Sequence, residues 1–241
     1  MAAATPRMYG ELAGWFHLLT APDEYAEEAA EVLELLEAHV EGPLTTALEL
    51  GSGGGNLASH LSRLCLTLTD ISHGMLALSR TINPDAEHLE ADMRSLRLGR
   101  TFDAVIAHDA ITYMTTEADL RAALETAFLH LRPGGAAIFM PDWVLDRYQP
   151  RTEHGGRDAD GRGLRYLEWD RDLREGSRVV ETDYVIVTRD GEQVSIHHDV
   201  HVLGIFPRAT WLALLADVGF EAHRVDGEQG LDVFIGARRR R

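Results

Sequence analysis

The 241-residue chain is long enough for one elaborated domain or two small ones, and its 45% hydrophobic and 26% charged residues exclude global disorder. With 39 acidic against 23 basic side chains the formal charge is -16 at pH 7, which opposes capture of phosphate backbones and argues against nucleic acid as a partner. A single cysteine, Cys65, cannot close an internal disulfide, and no export-type start or membrane-length apolar run is read, so a cytoplasmic protein that does not engage membrane is expected.

In chain order, residues 1–43 are expected to form a helical cap. Tyr9, Trp15, Phe16 and Leu18 make an apolar cluster that suits plain packing or a lid, and residues 22–40 carry Ala29, Val32, Leu33, Leu36 and Val40 at helical spacing. From residue 44 to 140, short apolar runs alternate with helical stretches, the pattern of a parallel sheet covered by helices. Strands are predicted over 45–50, 66–69, 86–90, 102–107 and 136–140, with helices over 57–64, 72–82 and 117–131. Ser72 is the expected N-cap of the second helix and Asn83-Pro84 its stop, while Pro133-Gly134-Gly135 separates the third helix from its strand.

Beyond Met140 the pattern changes. Residues 150–163, rich in Arg, Asp and Gly, read as a long mobile connection, followed by strands over 164–170, 179–188 and 194–203. The last two strands meet at Arg189-Asp190-Gly191-Glu192, where Asp-Gly supplies the positive φ angles of a tight hairpin. Residues 146–204 are therefore expected to be a loop and antiparallel insertion shaping an acceptor pocket, interrupting a core made of 44–145 and 205–241. Pro207 opens a helix carrying Trp211, Leu212, Leu214, Leu215 and Val218, Gly219 stops it, and residues 221–225 and 231–235 close the chain as a hairpin around a turn at 227–230. The run Arg238 to Arg241 reads as a frayed, solubilising end.

The most informative segment is Ala47-Leu48-Glu49-Leu50-Gly51-Ser52-Gly53-Gly54-Gly55-Asn56, a strand running into a glycine turn that opens a helix. A dinucleotide fingerprint would place glycines at 51, 53 and 56, but position 56 is Asn, so the register does not suit NAD. Glu49 sharpens the difference, because a carboxylate ~6 Å from a pyrophosphate charge costs about 3 kcal/mol at an effective dielectric of ~20. A cationic nucleoside such as S-adenosylmethionine suits the loop instead. Asp70 lies 70 - 51 = 19 residues past the first glycine, where a carboxylate accepts ribose hydroxyls, and Asp92-Met93 ends the third strand, where adenine would lie. Each acid alone reads equally well as a helix cap or a solvated loop residue; three at successive strand ends mark a ligand crevice.

The Glu-x-Gly-x-Gly-x-Gly run at Glu49 to Gly55, with Asp70, Asp92-Met93 and Leu131-Arg132-Pro133-Gly134-Gly135, resembles the class I S-adenosylmethionine-dependent methyltransferases over roughly residues 44–140. The resemblance implies an α/β, Rossmann-like fold with a seven-stranded sheet in which only the last strand is antiparallel, and S-adenosyl-L-methionine as cofactor. The residues it points to for the cofactor are Tyr9, Glu49, Gly51, Ser52, Gly53, Gly55, Asn56, Asp70, Ile71, Met75, Asp92, Met93 and His108. The N-terminal tyrosine region, the insertion and His197-His198-Asp199 are also similar to enzymes that methylate amino groups of nucleotide-linked deoxysugars. Those enzymes carry a Gly-His pair after the fourth strand, where this chain has Thr112-Tyr113.

Methyl transfer from a sulfonium is an in-line displacement in which alignment and exclusion of water carry much of the catalysis; a neutral amine attacks directly, whereas a hydroxyl needs a base. His108, Asp109 and Tyr113 at the end of the fourth strand are the catalytic candidates. His108 reads as a base or as backbone support for the cofactor, Asp109 as an orienting acid or a helix cap, and Tyr113 as pocket lining or packing. Tyr113, Trp143 and His198 are the candidates for acceptor binding. Strand alternation puts His197, Asp199 and His201 on one face, which suits polar pocket lining or plain surface better than a metal, so no metal is expected; His198 points the opposite way, toward a candidate acceptor side. These features describe a small-molecule N- or O-methyltransferase whose acceptor includes amino-sugar nucleotides among its candidates. A noncatalytic nucleoside sensor and a nicotinamide-dependent oxidoreductase are the alternatives, and a homodimer is compatible with the sequence.

Overall fold

The computed structural model describes residues 6–227 and 230–240. Short 3-10 turns and α1 (Phe16–Leu19) lead into α2 (Ala26–His39), after which β1 (Thr46–Leu50), β2 (Cys65–Asp70), α3 (His73–Ile82), β3 (Glu87–Glu90), β4 (Phe102–His108), α4 (Glu117–His130) and β5 (Leu131–Met140) follow. The chain then forms β6 (Thr152–Gly155), β7 (Asp158–Ala159), β8 (Arg162–Asp170), β9 (Val179–Asp190) and β10 (Gln193–Gly204), and returns through α5 (Arg208–Val218), β11 (Glu221–Asp226) and β12 (Asp232–Ala237).

Seven strands make the main sheet in the order β11-β12-β5-β4-β1-β2-β3, in which β12 alone runs antiparallel to its neighbours. Every residue of β4 is buried, as a central strand covered on both faces requires. Leu48, Val105 and Phe139 pack one face against Leu124 of α4 and Trp211 of α5, while Ala47, Ile106 and Ile138 pack the other against Val32 and Leu36 of α2. Ser72 caps α3 by accepting from the Met75 N–H at 3.1 Å, as its position predicts. The second sheet, inserted between β5 and α5, is antiparallel in the order β10-β9-β8-β6, with β7 on the edge of β8. No helix among the described residues is long and apolar enough to cross a membrane.

Several expectations need correction. Residues 57–64 make only a 3-10 turn over Ala58–His60, because Ala58, Leu61 and Leu64 recur every three residues and so stack in the tighter geometry. The stretch 150–163 is no mobile connection: it holds β6 and β7, which pair with β8 and cover backbone that would otherwise be an open edge. Asp190 pairs with Gln193, so the tight turn is Gly191-Glu192 and only Gly191, at φ 56, takes the positive angle. β5 begins at Leu131, so Pro133-Gly134-Gly135 lies inside the strand. Arg238 is not frayed, since its guanidinium donates to the Phe128 and Leu131 carbonyls at 2.9 and 2.6 Å, and Arg240 pairs with Glu41. Arg241 and the middle of the 227–230 turn lie outside the described residues.

At the amino ends of β1 and β4, opposite the ligand side, Asp103 clamps the sheet. Its Oδ2 accepts from the Thr45 and Thr46 N–H groups at 2.9 Å and from both threonine hydroxyls, and its Oδ1 accepts from Arg132 Nε at 2.6 Å. Burial opposes the charge, yet Arg132 and the threonine donors hold this carboxyl well below the usual carboxylate range. Asp103→Asn turns an amide NH2 toward this set of donors and is expected to cost about 2–4 kcal/mol in urea unfolding. Because the folded pKa lies below the unfolded value of about 3.9, the contribution is complete above that pH and is lost as pH falls, so parent and variant converge in acid.

Candidate active site

The strand order reverses between β1 and β4, and there a cleft of about 1280 Å3 opens at the carboxyl ends of β1, β2 and β4. Tyr9, Phe16 and Thr20 of the N-terminal segment and Tyr166, Tyr184 and His201 of the second sheet close over it. All the cofactor candidates except Gly55 border this one cleft, as do His108, Asp109, Tyr113 and Trp143.

The glycine loop leaves β1 with Gly51 at φ 76 and Gly53 at φ 53, angles that side-chain-bearing residues rarely adopt. A Cβ on Gly51 would stand 2.4 Å from Ala110 Cβ, whereas one on Gly53 would meet only Met75 Cε at 3.6 Å, so the wall at Gly53 is bare backbone facing the cleft. Gly55 instead packs under the loop, where a Cβ would strike Asn83 and Ser79. Asp70 braces the turn: its Oδ2 accepts from the Gly53 N–H at 2.9 Å and its Oδ1 from the Ser72 N–H at 2.7 Å. Burial raises the Asp70 carboxyl against these donors.

Glu49 is buried at 3% exposure, and Glu49 Oε2, Ser52 Oγ and Asn56 Oδ1 have no hydrogen-bond partner. Buried oxygens of this kind need donors from elsewhere. Burial pushes the Glu49 carboxyl up to about 8, against the neighbouring charge of His108 and with that of Asp70 and Asp109. Farther along, Arg94 engages both oxygens of Asp92, holding its carboxyl below the usual range, and also reaches Asp119 at 2.9 Å. Met93 is buried beside it, while Ile71 is exposed at the rim.

At the end of β4, His108 is buried with its Nε2 3.0 Å from Glu28 Oε1 and 3.2 Å from Asp109 Oδ1. Burial works against the imidazolium, but the Asp109 and Glu28 carboxylates overcome it and raise the ring to about 10. His108 is therefore protonated at neutral pH and is not a free base. Asp109 has φ 29, a strained angle for a residue with a side chain, and it turns the chain into the 3-10 segment that carries Tyr113. The Tyr113 hydroxyl lies 3.0 Å from that of Tyr9 and 2.7 Å from His201 Nδ1; His201 Nε2 is 3.4 Å from Asp199 Oδ2, which also accepts from the Met8 N–H at 2.9 Å. Despite burial, His201 and the backbone donors hold Asp199 down at about 2. Burial raises both tyrosine hydroxyls, so they stay neutral.

His198 does not face the cleft. It is exposed on the outer face of β10, with Nε2 2.9 Å from Asp183 Oδ1, and the expected contact with an acceptor is corrected accordingly. The histidine of β10 that borders the cleft is His201, on the odd-numbered face, with Val202 and Leu203 beside it. Glu28, Tyr25, Asp142, Glu168 and Tyr184 were also missed by sequence reasoning. The Tyr166-x-Glu168-x-Asp170 alternation was a readable signal for one polar face, but nothing local told which way it points. Trp143 borders the cleft with Arg151 4.8 Å over its ring. No cluster of three metal-ligating side chains occurs among the described residues.

A model of the methyltransferase domain family matches residues 47–135. The chain is 27% identical over 223 residues to the dTDP-3-amino-3,4,6-trideoxy-alpha-D-glucopyranose N,N-dimethyltransferase of Streptomyces venezuelae, covering 88% of this chain and 91% of that one. The crystal structure of Streptomyces venezuelae DesVI superposes with a TM-score of 0.83 at 26% identity, over 94% of this chain and 98% of that one. CalS10, an amino pentose methyltransferase from Micromonospora echinaspora solved with S-adenosylmethionine bound, gives a TM-score of 0.76 at 26% identity, over 89% and 91%. This chain is a class I S-adenosylmethionine-dependent methyltransferase.

The methyltransferase cleft fits that cofactor: the bare loop at Gly53 admits a close ligand, and Glu49 Oε2 is an orphaned acceptor for a cationic donor. If Glu49 holds the cofactor ammonium, Glu49→Gln keeps its size and removes its charge. Calorimetry above pH 8 should then show S-adenosylmethionine binding about tenfold weaker, about 1.4 kcal/mol. The gap should narrow as pH falls through about 8, since the parent carboxyl is then itself neutral in the free protein; titration of the cofactor amine cancels in the comparison at each pH. Equal affinities across the whole range would remove Glu49 from the site.

Proposed function

We propose that this methyltransferase transfers a methyl group in line to the amino group of a small sugar-like amine. Bound S-adenosylmethionine supplies the methyl on a sulfonium, so that the nucleophile's lone pair makes the new bond while the carbon–sulfur pair remains on a neutral thioether. The chain's own residues then have to position the acceptor, exclude water and carry away one proton. The observation that carries this reading is the hydroxyl and imidazole chain Tyr9, Tyr113, His201 and Asp199 at the end of β4, beside the strand-end cleft.

His201 stands between the Tyr113 hydroxyl, 2.7 Å from its Nδ1, and Asp199 Oδ2, 3.4 Å from its Nε2. An amine against Tyr113 would thereby have a polar partner and a route for its proton, with Asp199 stabilising the imidazolium that forms. Tyr9 aligns Tyr113 through the 3.0 Å contact and packs edge-on against its ring. Protonated His108 would act by holding Glu28 and Asp109 in place. The amino-deoxysugar acceptor in the name of the Streptomyces venezuelae relative supports an amine on a sugar ring. A cytoplasmic setting suits the free, exposed Cys65, and a homodimer is supported by exposed Leu167, Trp169, Val185 and Ile196 on the outer face of the second sheet.

Purified protein incubated with S-adenosylmethionine and a panel of amino sugars should form S-adenosylhomocysteine and N-methylated product by mass spectrometry, with the matching hydroxyl sugars unchanged. Tyr113→Phe should lower kcat about 10- to 100-fold and leave the cofactor Kd in place. Methyl on oxygen, or an unaltered kcat in the variant, would overturn this assignment of the reaction zone.

A further inference from the structure

The side of the cleft away from the glycine loop carries charge that methyl transfer alone does not use. Three guanidiniums border the cleft, and each is matched by acids. Arg94 lies 2.6 Å from Asp92 and 2.9 Å from Asp119; Arg151 lies 3.1 Å from Glu153 and over the Trp143 ring; Arg157 pairs with Glu24 and lies 3.5 Å from Asp23. The His108 imidazolium is shared by Glu28 and Asp109. Among the described residues that border the cleft, no guanidinium is left without a carboxylate partner to receive a phosphate.

Acids, in contrast, are in surplus. Asp170 is 4% exposed and borders the cleft; its Oδ1 takes the Thr182 hydroxyl at 2.6 Å, and its Oδ2 has no hydrogen-bond partner, with Nε of Arg151, a guanidinium already engaged by Glu153, 4.0 Å away. Asp142 is half-buried beside Asp109 and within the field of Glu168, and desolvation together with the Asp109 charge pushes its carboxyl well above the usual range. Burial also raises Glu168, against the hydroxyl that Tyr184 donates to it. Tyr9, Tyr113, Tyr166 and Tyr184 complete the wall, and aromatic faces attract a cation as carboxylates do. A buried acceptor oxygen without a donor, crowded carboxyl groups and aromatic faces all favour one kind of occupant.

We propose that the acceptor enters as a protonated amine that carries no phosphate, received by Asp142, Glu168 and Asp170 among these tyrosines, and that it yields one N–H proton to this carboxylate group before its freed lone pair takes the methyl. This rests on the N-methyltransferase reading above and departs from the nucleotide-linked acceptors in the relatives' names. A pyrophosphate brought into the cleft would meet carboxylates whose arginine partners are already taken. An amino sugar that is free or held in a neutral glycoside brings only the charge that the wall lacks.

Titration calorimetry of the protein saturated with S-adenosylhomocysteine tests this with a panel of amino sugars, each prepared as the methyl glycoside, the N-acetylated methyl glycoside and the nucleoside-diphosphate conjugate. For the best amine of the panel, the cationic glycoside should bind at least about tenfold tighter than either other form. Glu168→Gln and Asp170→Asn should each weaken the cationic glycoside by about fivefold or more, with the S-adenosylhomocysteine Kd and the melting temperature of its complex held. Tighter binding of the nucleotide conjugate, equal binding of the acetylated form, or failure of every amine glycoside to bind overturns the proposal. Failure of S-adenosylhomocysteine itself to bind would instead strike the methyltransferase reading.

Discussion

Carboxylates do not stay ionised inside a protein without partners, and the carboxyl ends of β1 and β4 gather more of them than the surrounding residues satisfy. Glu49 is raised by burial and keeps an unmatched oxygen, Asp142 is raised by desolvation and by Asp109, and the His108 imidazolium is divided between Glu28 and Asp109. This deficit of positive charge arises from the adjacency of β1 and β4, which Asp103 and Arg132 secure from the opposite end of the same strands. The cofactor, with an ammonium and a sulfonium, is chemically matched to such a place. An amine acceptor is matched for the same reason, so one electrostatic property orders both halves of the cleft.

Much of the main sheet was legible because its signals are local. β1, β2 and β4 carry short apolar runs, the stop at Asn83-Pro84 and the cap at Ser72 act within a few residues, and the glycine loop declares its own geometry. The helix expected over 57–64 failed because an apolar spacing of three and four fits an α-helix and a 3-10 turn alike over so few residues. The polar strands β6 and β7 were illegible for another reason: their pairing follows from the exposed edge of β8, which no window of sequence contains.

The candidate site divides the same way. Residues at or next to a strand's carboxyl end, such as Glu49, Asp70 and Asp109, were found by counting along the chain and do border the cleft. Alternation separated His198 from His201 correctly, and polar lining was among the readings for the His201 face, but His198 was turned toward the acceptor, because period two gives two faces without saying which meets the rest of the protein. His108 shows the limit in chemistry rather than placement. Its charge state depends on Glu28, eighty positions earlier on a helix across the sheet, and a base candidate becomes an imidazolium once that carboxylate is 3.0 Å away.

The strained backbone at Asp109 links these parts. A residue with φ 29 persists only where its surroundings over-determine it, and here the side chain is held by the His108 imidazolium while the chain must leave a fully buried strand. The consequence is that the 3-10 segment after it runs beneath the second sheet, where Tyr113 meets Tyr9 from the N-terminal segment and His201 from β10. Three segments distant in sequence thus converge on one hydroxyl, and none of them can shift without breaking a part-buried hydrogen bond. Positioning at that hydroxyl is therefore a property of the whole fold, and alignment is what a displacement at a methyl carbon most requires.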